Sequence, residues 1–291
     1  MEALIQAILN GLVQGLIYVA IAVGLTIVFG TLRLVNFAHG AFYAIGAYVG
    51  LLVAQRYGIV AGLIAAPIAV ALFAVLLDRL LLRQFYEKTP TAQILVTFGV
   101  ALVVEESLRL IFGGTTQQFP TPDALKGAVN VFGIINYPAY RLLFAGGVLV
   151  MIALVWLFLV RTNYGLIVRA GIRDRVMVQL LGGNIRQAST VVFALGAALA
   201  GLVGAAASPI YSVDPGTGFL FLVPSFVVVV VGGLGSFWGA VVGGLLIGEL
   251  YSLTTLIYAP AANVIIYVCM AVVLLFRPQG LLGESEVIRQ S

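Results

Sequence analysis

Arg161–Gln187 reads RTNYGLIVRAGIRDRVMVQLLGGNIRQ, a polar island with five arginines between apolar runs at about 138–160 and 188–208. Each flanking run has the ~20 residues that a helix needs to cross the hydrocarbon core. The island between them must therefore lie in water on one face of a bilayer. Its apolar residues Ile167, Ile172, Val176, Val178 and Leu181 recur near helical spacing, and Gly182-Gly183 supplies a stop. The spacing predicts a surface helix suited to docking against another protein.

Outward from the island the chain repeats the same logic. Apolar segments fall at about 4–30, 38–54, 58–82, 93–112, 138–160, 188–208, 219–234, 237–257 and 262–277. Backbone polar groups cannot go unpaired in lipid, so these segments are expected to be helices. None shows the ten-residue alternation of a membrane β-barrel. Hydrophobic residues make up 62% of the chain and charged residues 9%, with mean hydropathy +1.14, which excludes a soluble globular domain. The expectation is an all-α polytopic integral membrane protein over 1–291, one domain with about eight to nine membrane helices and broken or re-entrant segments. The net charge of +4 does not point to nucleic acid, because the basic residues sit in loops. The single cysteine, Cys269, lies in an apolar segment and allows no disulfide framework. The first apolar stretch is too long for a cleaved signal core and is expected to stay as a span.

Orientation follows from loop cations. With the island inside and crossings alternating from it, Arg33, Arg79, Arg83, Lys88, Arg161, Arg169, Arg173, Arg175, Arg186, Arg277 and Arg289 fall on the cytoplasmic side. Arg56, Lys126 and Arg141 fall outside, with Arg109 near the outer end of its helix, and the carboxy terminus comes out cytoplasmic. Two places look broken: Thr31–Gly40, TLRLVNFAHG, and Gly232–Gly244, GGLGSFWGAVVGG. Both precede helices rich in small residues, a correspondence that fits a distant internal repeat and a transport path. The loop at about 113–137 is the one long outer segment, expected to form a small lid or a hairpin.

Ionisable groups at membrane depth are the candidates for a translocation path. Glu105 and Glu249 sit in apolar segments, where a charge costs about 2.5–3.5 kcal/mol at the helix centre on insertion scales. Arg109 stands four residues after Glu105 and three after Glu106, so it is placed to pair locally. Glu249 has no oppositely charged neighbour in its segment. Asn36 is placed to cap a half-helix, and His39, the lone histidine, to hold fixed hydrogen bonds at the turn. One histidine makes no metal cluster. Lys88 and Lys126 follow Glu87 and Leu125, so no G-x-x-x-x-G-K-[ST] phosphate loop exists, and no nucleophile triad is legible. The pattern argues against an enzyme.

VNFAHG at Val35–Gly40, ILVTFGVALVVEESLRLIFG at Ile94–Gly113 and YGLIVRAGIRDRVMVQLLG at Tyr164–Gly182 resemble the permease subunits of branched-chain amino-acid ABC importers. FALGAALAGLVGA at Phe193–Ala205, VVGGLGSFWGAVVGG at Val230–Gly244 and RPQGLLG at Arg277–Gly283 extend the resemblance over nearly the whole chain. It implies a permease of the bacterial plasma (inner) membrane that moves leucine, isoleucine or valine inward. ATP would be bound by two separate ATP-binding subunits, with no cofactor on this chain. A second related permease and an extracytoplasmic binding protein complete the implied complex. The island would be the ATPase-coupling segment, centred on Arg169, Gly171, Arg173, Arg175, Leu181 and Gly182; relatives often carry isoleucine where this chain has Gly183. Urea or short amides are the alternative substrate within the group. A self-sufficient carrier would need its own ion-coupling residues, and a scaffold would stimulate no ATPase.

Overall fold

A computed structural model describes residues 2–32, 34–86, 88–119, 121–131, 133–173 and 175–283, without the side chains of 124, 172, 173, 175 and 176. Among the described residues eleven α-helices follow in order. They are α1 (Glu2–Leu32), α2 (His39–Tyr57), α3 (Ile59–Leu80), α4 (Pro90–Phe112), α5 (Ala139–Arg161), α6 (Asn163–Arg173), α7 (Arg175–Leu180), α8 (Ile185–Tyr211), α9 (Thr217–Gly232), α10 (Phe237–Tyr258) and α11 (Ala262–Phe276). Each of the nine apolar segments becomes one helix, and α6 and α7 fill the polar island. Five stretches are long and apolar enough to cross a membrane: 2–32, 59–80, 139–161, 185–211 and 237–276. The last holds both α10 and α11.

The bundle is wound around α1. From Val13 to Val28 nearly every residue of α1 is buried, because α10, α8, α9 and α5 surround it. Its closest neighbour, α10, approaches through facing small-residue pairs, Gly11 and Gly15 on α1 against Gly244 and Gly248 on α10. A Cβ on Gly15 would stand 2.9 Å from the Gly244 carbonyl oxygen, so only glycine lets these backbones meet. Close packing of this kind is how helices associate in lipid, where there is no hydrophobic drive between them. The glycines of 239–244, expected to break a helix, do not. The break is a turn at 233–236, and α10 runs unbroken through Gly239, Gly243 and Gly244. Packing against α9 and α1 outweighs their low helix propensity.

Unwound backbone occurs instead at 34–38 and at 212–216, before α2 and α9. Each is provided with partners, as backbone at membrane depth must be. At the first, the Phe37 amide donates to Thr97 Oγ1 at 3.2 Å and Thr97 Oγ1 donates to the Val35 carbonyl at 3.3 Å. At the second, Gln117 and Val213 exchange two backbone hydrogen bonds of 2.8 Å, and Asp214 Oδ1 accepts from the Gly216 amide at 2.9 Å. The first turns of α2 and α9 then meet at Gly40 and Gly218, each glycine lying against the other's carbonyl.

Strands β1 (Ala128–Val131) and β2 (Ile135–Pro138) form an antiparallel hairpin between α4 and α5, the one two-stranded sheet among the described residues. At the opposite end the terminal RPQGLLG folds back on α9. The Leu281 and Leu282 amides donate to the Val231 and Gly232 carbonyls at 2.8 and 2.9 Å, satisfying acceptors that a helix end leaves open. Asp78 near the end of α3 bonds Thr190 near the start of α8, and within the island Tyr164 bonds Gln187.

Candidate functional site

Among the described residues the island is helical over 163–173 and 175–180. α6 leaves α5 with almost no linker: Thr162 Oγ1 accepts from the Gly165 amide at 3.0 Å, and Arg169 reaches back to the Gly165 and Val160 carbonyls at 3.4 Å. Val168, 2% exposed, anchors α6 against the bundle, although the spacing argument had not singled it out. Val178 anchors α7. Gly182 then turns the chain with φ +82°, and Asn184 caps α8 by accepting from the Gln187 amide at 2.9 Å. Leu181 does not join the packed face. It is 80% exposed, beside Leu180 and Met177, which are also exposed. Gly171 faces Ile185 at the edge of α8, and a Cβ there would find 3.9 Å. The side chains of Arg173 and Arg175 lie outside the described residues, as do Arg33 and Arg289.

A buried polar knot joins this segment to the rest of the bundle, and sequence reasoning missed it. Asp78 at the end of α3 has no solvent exposure. It accepts from the Tyr86 hydroxyl, from Arg83 Nε at 3.3 Å and from Thr190 Oγ1 on α8 at 2.8 Å. Arg83 also donates to Thr190 at 2.8 Å. Next to it, Gln93 of α4 donates to the carbonyls of Phe85 and Tyr86. An acid at the end of an apolar helix, just before the basic 79–88 loop, was the available signal.

The four path candidates separate into two places. Asn36 and His39 sit at the α1–α2 break, both buried. Asn36 Oδ1 accepts from the Ala38 amide at 3.1 Å, just ahead of α2. Among the described residues neither ring nitrogen of His39 has a partner within hydrogen-bond geometry: its ring lies against the Gly24 backbone, edge-on to Phe42, with the Ile21 carbonyl close by. Glu105 lies near this break, sharing a small cleft with Gly40, Ala44, Ala101 and Gly218 at the start of α9. Its Oε1 accepts from Arg109 at 3.0 Å, and Glu106 stands 3.8 Å from the same guanidinium, the local pairing the spacing predicts. Glu249 is elsewhere. Its carboxylate rests on Gly11 of α1, and its Oε1 is buried without a hydrogen-bond partner among the described residues.

At the hairpin end of the bundle, Asn10 of α1 is bound twice. Its Oδ1 accepts from Arg141 Nη1 at 2.6 Å and from the Tyr137 hydroxyl at 2.9 Å. Burial pushes the Tyr137 phenol up, so it stays a neutral donor at neutral pH. No group of three or more metal-ligating side chains occurs among the described residues.

Residues 7–275 match the family described as "Branched-chain amino acid transport system / permease component", a span that includes the island, both breaks and the Asp78 knot. The chain belongs to that permease family. It is 30% identical to BraD of Pseudomonas aeruginosa, a high-affinity branched-chain amino acid transport system permease protein, over 97% of each chain. It is 28% identical to LivH of Escherichia coli K12 over 97% of this chain and 96% of LivH. A longer relative, LivM of the same organism, aligns at 28% identity over 93% of this chain and 69% of its own length. The permease is thus a multi-pass membrane component of a branched-chain amino acid ABC transport system, and not an enzyme.

Proposed function

We propose that this permease carries a branched-chain amino acid inward across the plasma membrane, with Arg161–Gln187 as the lever through which separate ATP-binding subunits act. One observation carries the reading. A membrane-proximal segment that leaves Met177, Leu180 and Leu181 exposed, between the ends of α5 and α8, presents apolar surface where a solvated helix would present none. Closure of a docked ATPase would push on α7 and then on α8, which spans the bundle from the Asp78 knot to Ser212. α8 packs along α1, α2 and α3, so a rigid shift of it reaches both unwound breaks.

Nine crossings, with the island and carboxy terminus in the cytoplasm, suit the collection of Arg79, Arg83, Lys88, Arg161, Arg169 and Arg186 at one end. The likeness of this chain to both LivH and LivM of one organism supports a second, related permease as partner. An extracytoplasmic binding protein is proposed to deliver substrate at the outer end. Spans with few unpaired charges suit a zwitterionic or neutral solute.

The test is co-purification with candidate ATP-binding subunits, followed by labelled leucine uptake into ATP-loaded vesicles. Charge reversal at Arg173 and Arg175, or glutamate at Met177 and Leu181, is expected to abolish uptake and ATPase recovery while membrane insertion persists. Undiminished uptake in both variants would remove the coupling role.

A further inference from the structure

Between them α1, α5 and α10 leave a groove of about 580 Å³, lined throughout by apolar or aromatic side chains. On α5 the lining runs from Leu142 to Trp156, which is about 21 Å at ~1.5 Å per residue. That length covers one leaflet of the ~30 Å hydrocarbon core and stops short of the far face. No glycine lines the groove. Elsewhere in this bundle helices dock through glycines, as α1 and α10 do at Gly15 and Gly244. A helix ~21 Å long and ~10 Å across occupies on the order of 1,600 Å³, far more than the groove offers. Something thinner than a helix fits. The two ends differ. Trp156, in the last turns of α5, and Trp238, in the first turn of α10, line the groove at the island end and are 42% and 53% exposed. Indoles favour headgroup depth. One turn beyond Trp156, Arg169 of α6 donates to the Val160 carbonyl at 3.4 Å. It is exposed and has no acid within ion-pair distance among the described residues. At the hairpin end Tyr137, 1% exposed, bounds the groove with its hydroxyl bonded to Asn10.

We propose that this groove binds one anionic phospholipid of the cytoplasmic leaflet, its acyl chain along α5 and its phosphate at Arg169. Arg169 does not line the groove. It stands beyond the mouth, at the depth of a headgroup whose chain fills the space between the helices. A guanidinium holds a phosphate through paired N–H donors. Cytoplasmic leaflets carry the anionic lipids, and cations just outside the hydrocarbon attract them. Leu149, Ile152, Leu16 and Leu245 would cover the chain, and the two indoles would stand at its carbonyl end. The choice of leaflet rests on the orientation proposed above. Because α6 is part of the proposed lever, a phosphate at Arg169 would tie that lever to the bilayer surface beside α5.

The chain has two tryptophans and both line the groove, so quenching of their fluorescence by brominated acyl chains reports its occupant. The full-length permease is reconstituted in phosphatidylcholine vesicles with rising fractions of brominated phosphatidylglycerol or, in parallel, brominated phosphatidylcholine. Wild type is expected to reach half-maximal quenching at a fraction at least fivefold lower with phosphatidylglycerol. Arg169→Gln should lose that preference, and Arg169→Lys, which keeps the charge, should retain part of it. Ala153→Phe, on the exposed part of the lining, fills the groove and should remove the preference with an unchanged melting temperature. The proposal is overturned if the two lipids quench wild type alike, or if Arg169→Gln or Ala153→Phe keeps the wild-type preference. It is also overturned if assembly with the second permease abolishes quenching, since a protein surface would then cover the groove. Uptake by the complete system is read separately. Absent ATP-driven leucine uptake would remove the proposed function and leave the lipid site standing, whereas unselective quenching beside intact uptake removes only the site.

Discussion

At the scale of single residues, the chain resolves each membrane-depth charge differently. Glu105 and Glu106 are answered within their own helix by Arg109, an exposed pairing of the kind worth only a few tenths of a kcal/mol. Neutralising Glu105 as Gln should therefore leave thermal unfolding unchanged, and on a path role it should lower uptake at least tenfold. Equal uptake by Glu105→Gln and wild type would reduce that side chain to a local ion pair. Asp78 is the opposite case, with no exposure and three donors, two from the loop after α3 and one from α8. Asp78→Ala strands those donors and is expected to cost about 2–3 kcal/mol. A lowered melting temperature in detergent checks this, and a wild-type transition would contradict it. Asn36, His39, Glu105 and Glu249 were legible because polar groups stand out in apolar runs. The Asp78–Thr190 and Asn10–Arg141 contacts were not, since each joins residues more than 100 positions apart. Nothing in local spacing records such pairs.

At the scale of elements, hydropathy placed nine helices within a few residues of their ends, because lipid leaves a chain no other way to satisfy its backbone. It misread what glycine does there. Gly244 fell in a stretch that looked broken, yet with Gly248 it is where α10 rests on α1. Gly248→Val should cost roughly 1–3 kcal/mol through forced separation of the two backbones. Gly147→Ala on α5, where nothing lies within 4 Å, should be neutral or stabilising by about 0.5–1 kcal/mol. Paired unfolding curves check both; similar shifts for the two would mean propensity, not close approach, governs these positions. The island was read as one helix, and its described residues are helical over 163–173 and 175–180, anchored at Val168 and Val178. The exposure of Leu181 could not be read from periodicity, which counts an apolar residue as inward unless a partner is known.

At the scale of the whole molecule, the permease is a bundle centred on α1 with polar groups at both ends and the proposed lever at one. Motion delivered to α7 has a packed route through α8 to the breaks before α2 and α9, whose first turns touch at Gly40 and Gly218. What the chain lacks is any phosphate loop of its own. The most direct measurement is leucine accumulation in proteoliposomes holding the purified permease with and without its ATP-binding subunits, second permease and binding protein. The account predicts uphill, ATP-dependent accumulation with the full set and none with this chain alone. Uphill accumulation by the lone chain would contradict it.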